Sequence, residues 1–397
     1  MGPINSQARG LVYRCRFKFK LGNLRWHQTL SPKIPYNNPP APLTLSSSPY
    51  LSSSSKSLQL PPKTRNLTSK IETVTIQPVP VAGANDVPSH VAPLPSQLTD
   101  VASMAGMADI ALLDSSVQAP FDSIRQLFDH LRANPEAADA LNASYPTRGV
   151  FKNAALKNGS SDQKLTIDIS PQRLACIPTE LQASLSLCGF GEVIKFFSEL
   201  TTTHLDNMLS MLGAAAGGVD LFPLHRSRNI NFRLCDYTPA TAAPESENGC
   251  GAHRDYGTFS IIFQDGTAGL EIESPAQPGT WLPVPADKVV VLCGWCAFIV
   301  SGGELRAVRH RVRRQPGVRR LSAVLFVAPD LDVALKPITP EGSEVVRFSS
   351  EIMDGKIDVR WFKECMGKRW RYREGNAHLE DGEKITQDED IERLILG

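Results

Sequence analysis

Residues 251–266 read Gly-Ala-His-Arg-Asp-Tyr-Gly-Thr-Phe-Ser-Ile-Ile-Phe-Gln-Asp-Gly. Thr258–Gln264 within them is a β-type run that closes on an Asp265-Gly266 turn signal. Just before it stand His253 and Asp255, two residues apart. On a strand or its extension, residues i and i+2 point to the same side. An imidazole and a carboxylate can therefore meet at one metal ion.

Further β-type runs flank this one: Ile230–Tyr237, Leu270–Glu273, Val289–Leu292, Ala297–Val300, Ala307–Val312 and Leu321–Ala328. Pro278-Gly279, Gly302-Gly303 and Pro316-Gly317 separate several of them. Short strands at this spacing predict a sandwich or barrel. Before them the period is helical. Phe121, Ile124, Leu127, Phe128 and Leu131 share a face, and a second stretch runs from about Gly191 to Leu212. On that second stripe His204 reads as a core histidine with a partner. Val359, Phe362, Lys363 and Met366 mark a C-terminal helix, with Trp370 beyond them. Ala108–Leu113 is a candidate first strand. Helices followed by strands predict an α+β chain with an all-β core.

A second histidine, His310, lies in another β run with 54 residues between it and Asp255. Two histidines and one carboxylate are the facial triad of non-haem Fe(II) oxygenases, which leaves open positions on the metal. His-x-Asp alone is common by chance. Arg320-Leu321-Ser322, ten residues beyond His310, adds a guanidinium and a hydroxyl two apart on one strand face.

These motifs together resemble the plant and fungal 2-oxoglutarate/Fe(II)-dependent dioxygenases, the isopenicillin-N-synthase-like superfamily. The likeness is carried by Gly251–Thr258, Phe263–Gly266, Gly269–Ile272, His310-Arg311-Val312, Arg320-Leu321-Ser322 and Tyr237-Thr238-Pro239. It is strong from about Ile230 to Pro329 and weaker upstream, where it includes Arg148–Phe151. The resemblance implies a distorted double-stranded β-helix, or jelly roll, flanked by helices. It implies that His253, Asp255 and His310 hold Fe(II). Arg320, Ser322 and Tyr237 would take the distal carboxylate of 2-oxoglutarate. Dioxygen would be the oxidant and ascorbate a candidate stimulant. The implied reaction hydroxylates or desaturates a small organic molecule and releases succinate and carbon dioxide. Three departures stand out: Cys235 where many members carry Asn, Gly294-Trp295 where many read Gly-Asp, and Ala307 where Ser is common. None removes a ligand. The rival readings are an Fe(II) oxidase of the same fold without 2-oxoglutarate, a protein hydroxylase, and a jelly-roll binding protein without turnover.

Composition narrows the remaining classes. The chain has 397 residues, 42% of them hydrophobic and 21% charged. No apolar run approaches the roughly 18 residues of a membrane span. Eight cysteines in such a length are too sparse for a disulfide scaffold. Cys293 and Cys296 form a Cys-x-x-Cys without a second pair, and they read as buried core thiols. The net charge of +1 averages two unlike parts. Residues 1–71 hold eleven Lys and Arg and no acid, which leaves 31 basic against 41 acidic residues in 72–397. A nucleic-acid partner needs a basic face, so none is expected. The arginine-rich run from Arg306 to Arg319 lacks interleaved aromatics and reads mainly as a solvated strand edge, with a substrate-facing role for one or two of its arginines toward an acidic substrate as the alternative. Asn66, Asn142 and Asn158 begin glycosylation triplets that carry no weight without a signal peptide.

Residues 1–100 hold fourteen of the thirty prolines, and eight serines lie between Ser46 and Ser57. Such a segment is expected to be disordered. Its basic, acid-free start also fits a transit peptide, which would direct the chain to a chloroplast rather than leave it in the cytoplasm. The expected divisions are 1–100, a helical 101–228, a metal-binding core 229–330 and a helical tail 331–397. The expected protein is a monomer that meets a small-molecule substrate and no membrane.

Overall fold

A computed structural model describes residues 110–113, 117–146, 149–153, 162–243, 245–340, 342–373 and 389–397. The expectations placed on residues 1–100, on Arg148, on Asn158 and on the Trp370 side chain lie outside these. Two antiparallel sheets carry the architecture. In chain order the strands are β1 (Ile110–Leu113), β2 (Phe151–Asn153), β3 (Leu165–Ile169), β4 (Asn229–Tyr237), β5 (Asn248–His253), β6 (Phe259–Gln264), β7 (Leu270–Glu273), β8 (Trp281–Pro283), β9 (Val289–Cys293), β10 (His310–Arg313) and β11 (Arg320–Ala328). The larger sheet runs β1-β9-β6-β11-β4-β3-β2, and the smaller runs β5-β10-β7-β8. This is the expected jelly roll with helices packed outside.

Alternation along the strands explains how one sheet serves two environments. In β11, Leu321, Ala323, Leu325 and Val327 join the core beneath the helices. Their neighbour Val324 faces the space between the sheets, with Ile262, Val290, Leu292, Leu270, Ile272 and Val312. Helices α1 (Phe121–Ala133) and α2 (Pro135–Ala143) come first, then α3 (Pro171–Cys176), α4 (Thr179–Ser186), α5 (Phe190–Glu199) and α6 (Leu205–Ala215). The α5 aromatics seal the outer face of the large sheet. Phe196 meets Phe263 edge-on at 5.2 Å, and Phe197 stacks on Phe232 at 5.7 Å. Each such buried side chain stabilises the fold by roughly 1.5–3 kcal/mol.

The helix expected from Gly191 to Leu212 is interrupted. Leu200–His204 forms a π-helical turn between α5 and α6. Thr201 and Thr202 donate their hydroxyls back to the carbonyls of Phe197 and Ser198, which loosens the regular ladder. His204 ends this turn half-buried, not in the core as expected.

The apolar run Ala297–Val300, expected as a strand, is helical: Trp295–Val300 forms α7. A short apolar run does not reveal its own period. The deciding contacts are tertiary. Trp295 N–H donates to the Asp255 carbonyl and Cys296 N–H to that of Tyr256, so the chain is anchored and winds. Gly294 permits the approach, because a Cβ there would sit 2.5 Å from the Gly257 oxygen. Cys293 ends β9 and Cys296 lies in α7; both are buried, and neither is in a disulfide. The arginine run is not an edge either, since β10 lies inside the smaller sheet. Arg309 pairs with Glu273, Arg311 with Glu271 and Arg313 with Glu247. Among the described residues three C-terminal helices follow: α8 (Ser350–Met353), α9 (Val359–Arg373) and α10 (Glu389–Leu396). Val359, Phe362 and Met366 of α9 and Ile391 and Ile395 of α10 are buried in one cluster with Trp295. No helix among the described residues is long and apolar enough to cross a membrane.

Candidate active site

His253 ends β5 and His310 begins β10, and the two are directly opposed in the antiparallel register. Their rings lie 4.2 Å apart. Asp255 follows two residues beyond the strand. One donor atom from each of the three lies within 4.8 Å of the others, and all three residues are buried. His253 Nε2 is 3.5 Å from one Asp255 oxygen, and His310 Nε2 is 3.9 Å from the other. The sequence separation of the histidines is closed by strand pairing alone.

Their tautomers follow from hydrogen bonds. His253 Nδ1 lies 2.8 Å from the Gly251 carbonyl, and His310 Nδ1 lies 3.0 Å from that of Val308. A carbonyl only accepts, so each Nδ1 carries a proton. In the neutral rings both Nε2 lone pairs then face the Asp255 carboxylate. Two lone pairs and an anion converging on one point suit a divalent cation. Burial by itself would raise the Asp255 pKa. Without a cation between them, the imidazoles of His310 and His253 in their protonated form, with a hydrogen bond from the Ser260 hydroxyl, outweigh it and hold the carboxyl well below its usual range. Ser260 Oγ donates to Asp255 Oδ2 at 2.5 Å, a partner not singled out in the sequence. It lies on β6 with its side chain between the sheets, and the motif around it gave no signal of this role.

Across the interior, Arg320 starts β11 opposite Tyr237 of β4. The residue is only 3% exposed. Nε donates to the Thr267 carbonyl and Nη2 to Gln264 Oε1, each at 3.1 Å. Gln264 is oriented in turn by donating to the carbonyls of Pro285 and Lys288. Nη1 is buried without a protein partner. A buried cationic donor left open is costly unless an anion completes it. Ser322 lies two residues along on the same face. The Tyr237 ring sits 5.2 Å from the guanidinium carbon, and burial pushes its hydroxyl pKa upward, so it remains a neutral phenol. The Asp265-Gly266 turn sets this end of the pocket: Asp265 accepts from the backbone N–H groups of Thr267 and Leu321.

The six residues expected from the sequence therefore occupy one interior. His253, Asp255 and His310 form one cluster there, and Arg320, Ser322 and Tyr237 share the inner face of the larger sheet.

Comparison with known proteins agrees with this geometry. Residues 229–329 match the family model of the 2OG-Fe(II) oxygenase superfamily. This core is a 2OG-Fe(II) oxygenase domain. A 2-oxoglutarate-dependent dioxygenase of Talaromyces stipitatus is 37% identical over 119 residues, 29% of this chain and 36% of that protein. A proline hydroxylase of Petromyces alliaceus is 28% identical over 193 residues, 45% of this chain and 60% of its own length. The chain thus spans between about a third and three fifths of these relatives. The crystal structure of a rice dioxygenase for auxin oxidation superposes with a TM-score of 0.51 and 20% identity, covering 68% of this chain and 90% of that one. At that identity the likeness speaks for the fold.

Proposed function

We propose that the protein is an Fe(II)- and 2-oxoglutarate-dependent dioxygenase that hydroxylates or desaturates a small organic molecule, releasing succinate and carbon dioxide. The observation that carries this is the pairing of two half-sites in one interior. A His-Asp-His cluster stands on one sheet, and a buried arginine with an open donor stands on the other.

Bound Fe(II) would supply the activation of dioxygen that attack on an unreactive C–H bond demands. His253, Asp255 and His310 would hold it on one side and leave the other open. Arg320 would pair with the distal carboxylate of 2-oxoglutarate, which a guanidinium fork suits. Ser322 and Tyr237 would add hydroxyl contacts. Ile262, Leu270, Val290 and Leu292 form the apolar wall that keeps water from the reacting groups. The open donor on Arg320 favours this reading over an Fe(II) oxidase that needs no dicarboxylate, and over a binding protein with no use for open metal positions. The similarity to a fungal proline hydroxylase supports a small molecule as substrate. A plastid is the destination if residues 1–71 act as a targeting sequence, and the cytoplasm if they do not. Import of the tagged full-length chain into isolated chloroplasts separates the two.

The test is anaerobic titration of the purified chain with Fe(II) and 2-oxoglutarate, watching for the visible metal-to-ligand charge-transfer band. A band requiring both supports the proposal. Fe(II) bound without a band points to the oxidase, and no metal binding refutes the metal centre.

A further inference from the structure

Lys164 is 4% exposed and lies in the same interior as the proposed co-substrate site. Its ammonium donates to Asp162 Oδ2 at 3.1 Å and to Cys250 Sγ at 3.0 Å. An ammonium has three donors. One goes to a carboxylate and one to sulfur, a weak acceptor; no described residue takes the third. Asp162 is itself fixed, since its other oxygen accepts from the Gly251 N–H of the metal-bearing strand.

Register places this cation. Leu165 of β3 pairs with Asp236 of β4, so Lys164, one residue earlier, comes opposite Tyr237. Tyr237 is opposite Arg320 on its other side. Cross-strand neighbours share a face and lie about 4.8 Å apart from strand to strand. Lys164, Tyr237 and Arg320 thus form one row, with a cation on each flank of the phenol. The opposite wall comes equally close. A Cβ on Gly249 would sit 2.9 Å from the Tyr237 ring. In β5, His310 pairs with His253 but Val312 pairs with Cys250, which leaves one extra residue in β5. That bulge turns Cys250, and the ammonium on it, to the same side as His253. Cys235, where many relatives carry an amide, borders the row and offers only a buried thiol, whose pKa burial raises.

Resting on the dioxygenase reading, we propose that Lys164 is a second cationic contact for the distal carboxylate of 2-oxoglutarate. It acts from the far side of Tyr237 and replaces the polar donor that position 235 lacks. Arg320 and Lys164 together then grip the carboxylate from two strands. Asp162 keeps the ammonium charged and aimed while the pocket waits.

The experiment compares the full-length wild type with Lys164→Met, anaerobically with Fe(II), titrating 2-oxoglutarate and 2-oxobutanoate by their charge-transfer bands. The second acid chelates metal identically but has no distal carboxylate. Loss of a charge-assisted hydrogen bond predicts 2-oxoglutarate affinity weaker on the order of tenfold or more. The 2-oxobutanoate affinity and Fe(II) affinity stay near wild type, and Lys164→Arg recovers most of the loss. Equal weakening for both acids, or none for either, overturns the proposal. If Lys164→Met does not fold, Lys164→Gln is read the same way. If neither uncharged variant folds while Lys164→Arg does, the residue is structural and the proposal fails. A wild type that shows no band with either acid overturns the site reading itself, a result distinct from a normal band that ignores Lys164.

Discussion

Replacing Ser260 by Ala removes a single oxygen and isolates one link in the metal site. Ser260 Oγ donates to Asp255 Oδ2, and the carboxylate is almost wholly buried, so water does not readily replace the lost donor. A hydrogen bond to a buried charged group contributes roughly 1.5–3 kcal/mol. Removing a partner that orients a metal ligand costs about 10–100-fold in metal affinity, the same range in other units. Ser260→Ala is therefore expected to weaken Fe(II) binding by about one to two orders of magnitude. The folding cost should be small, since Ser260, the second residue of β6, is paired with Phe326 on one side and Leu292 on the other, and the substitution leaves that backbone pairing intact. The assay is anaerobic Fe(II) titration at saturating 2-oxoglutarate, read at the charge-transfer band, with metal-free thermal unfolding alongside. Ser260→Thr, which keeps the hydroxyl, should bind Fe(II) nearly as the wild type does. An Ser260→Ala protein whose Fe(II) affinity stays within about twofold of wild type would refute the claim that this hydroxyl holds the carboxylate in place.

Arg320→Ala should bind Fe(II) normally but need at least about tenfold more 2-oxoglutarate, because it loses a charge-assisted carboxylate contact; unchanged affinity in the same titration would remove Arg320 from the co-substrate site. His225 is buried, donating from Nδ1 to the Leu221 carbonyl and accepting the Thr258 hydroxyl at Nε2, and burial lowers its pKa. The unfolded state takes up its proton first, so this histidine's contribution is complete above about pH 6.5 and shrinks as pH falls below that value. Urea unfolding from pH 5 to 8 should show that slope in the wild type and a shallower one in His225→Gln. Asp168 is buried and bonded to Arg233, Lys152 and Asn231, and despite burial Arg233 first and Lys152 next hold its pKa well below the usual range. Asp168→Asn removes the carboxylate charge that Arg233 and Lys152 share and should cost about 3 kcal/mol of stability, since removing one partner of a buried pair typically costs 3–5 and Arg233 and Lys152 are partly exposed; chemical denaturation measures it, and a cost below about 1 kcal/mol would show that solvent already screens the cluster.

The sequence by itself determined the parts that depend on local pattern and on residue chemistry. Short β-type runs located β4, β6, β7, β9 and β11 to within a residue or so: β6 and β9 are buried on both faces and read as continuous apolar runs, while β7 buries only Leu270 and Ile272 and alternates. His253 and Asp255 declared themselves through their spacing, and Arg320 and Ser322 through theirs. The strand β5 was legible only through its motif, since Asn248-Gly249-Cys250-Gly251 has no β-type pattern of its own. Tertiary structure decided the rest. Ala297–Val300 became helix because hydrogen bonds from Trp295 and Cys296 to the metal loop anchor its start. Ser260, Gln264 and Lys164 gained their roles from partners on other strands, at positions where serine, glutamine or lysine alone signals nothing. A ligand pair two residues apart is written into the chain. A donor that meets its acceptor across a sheet exists only once strand register is set, and register is a property of the whole interior rather than of any segment.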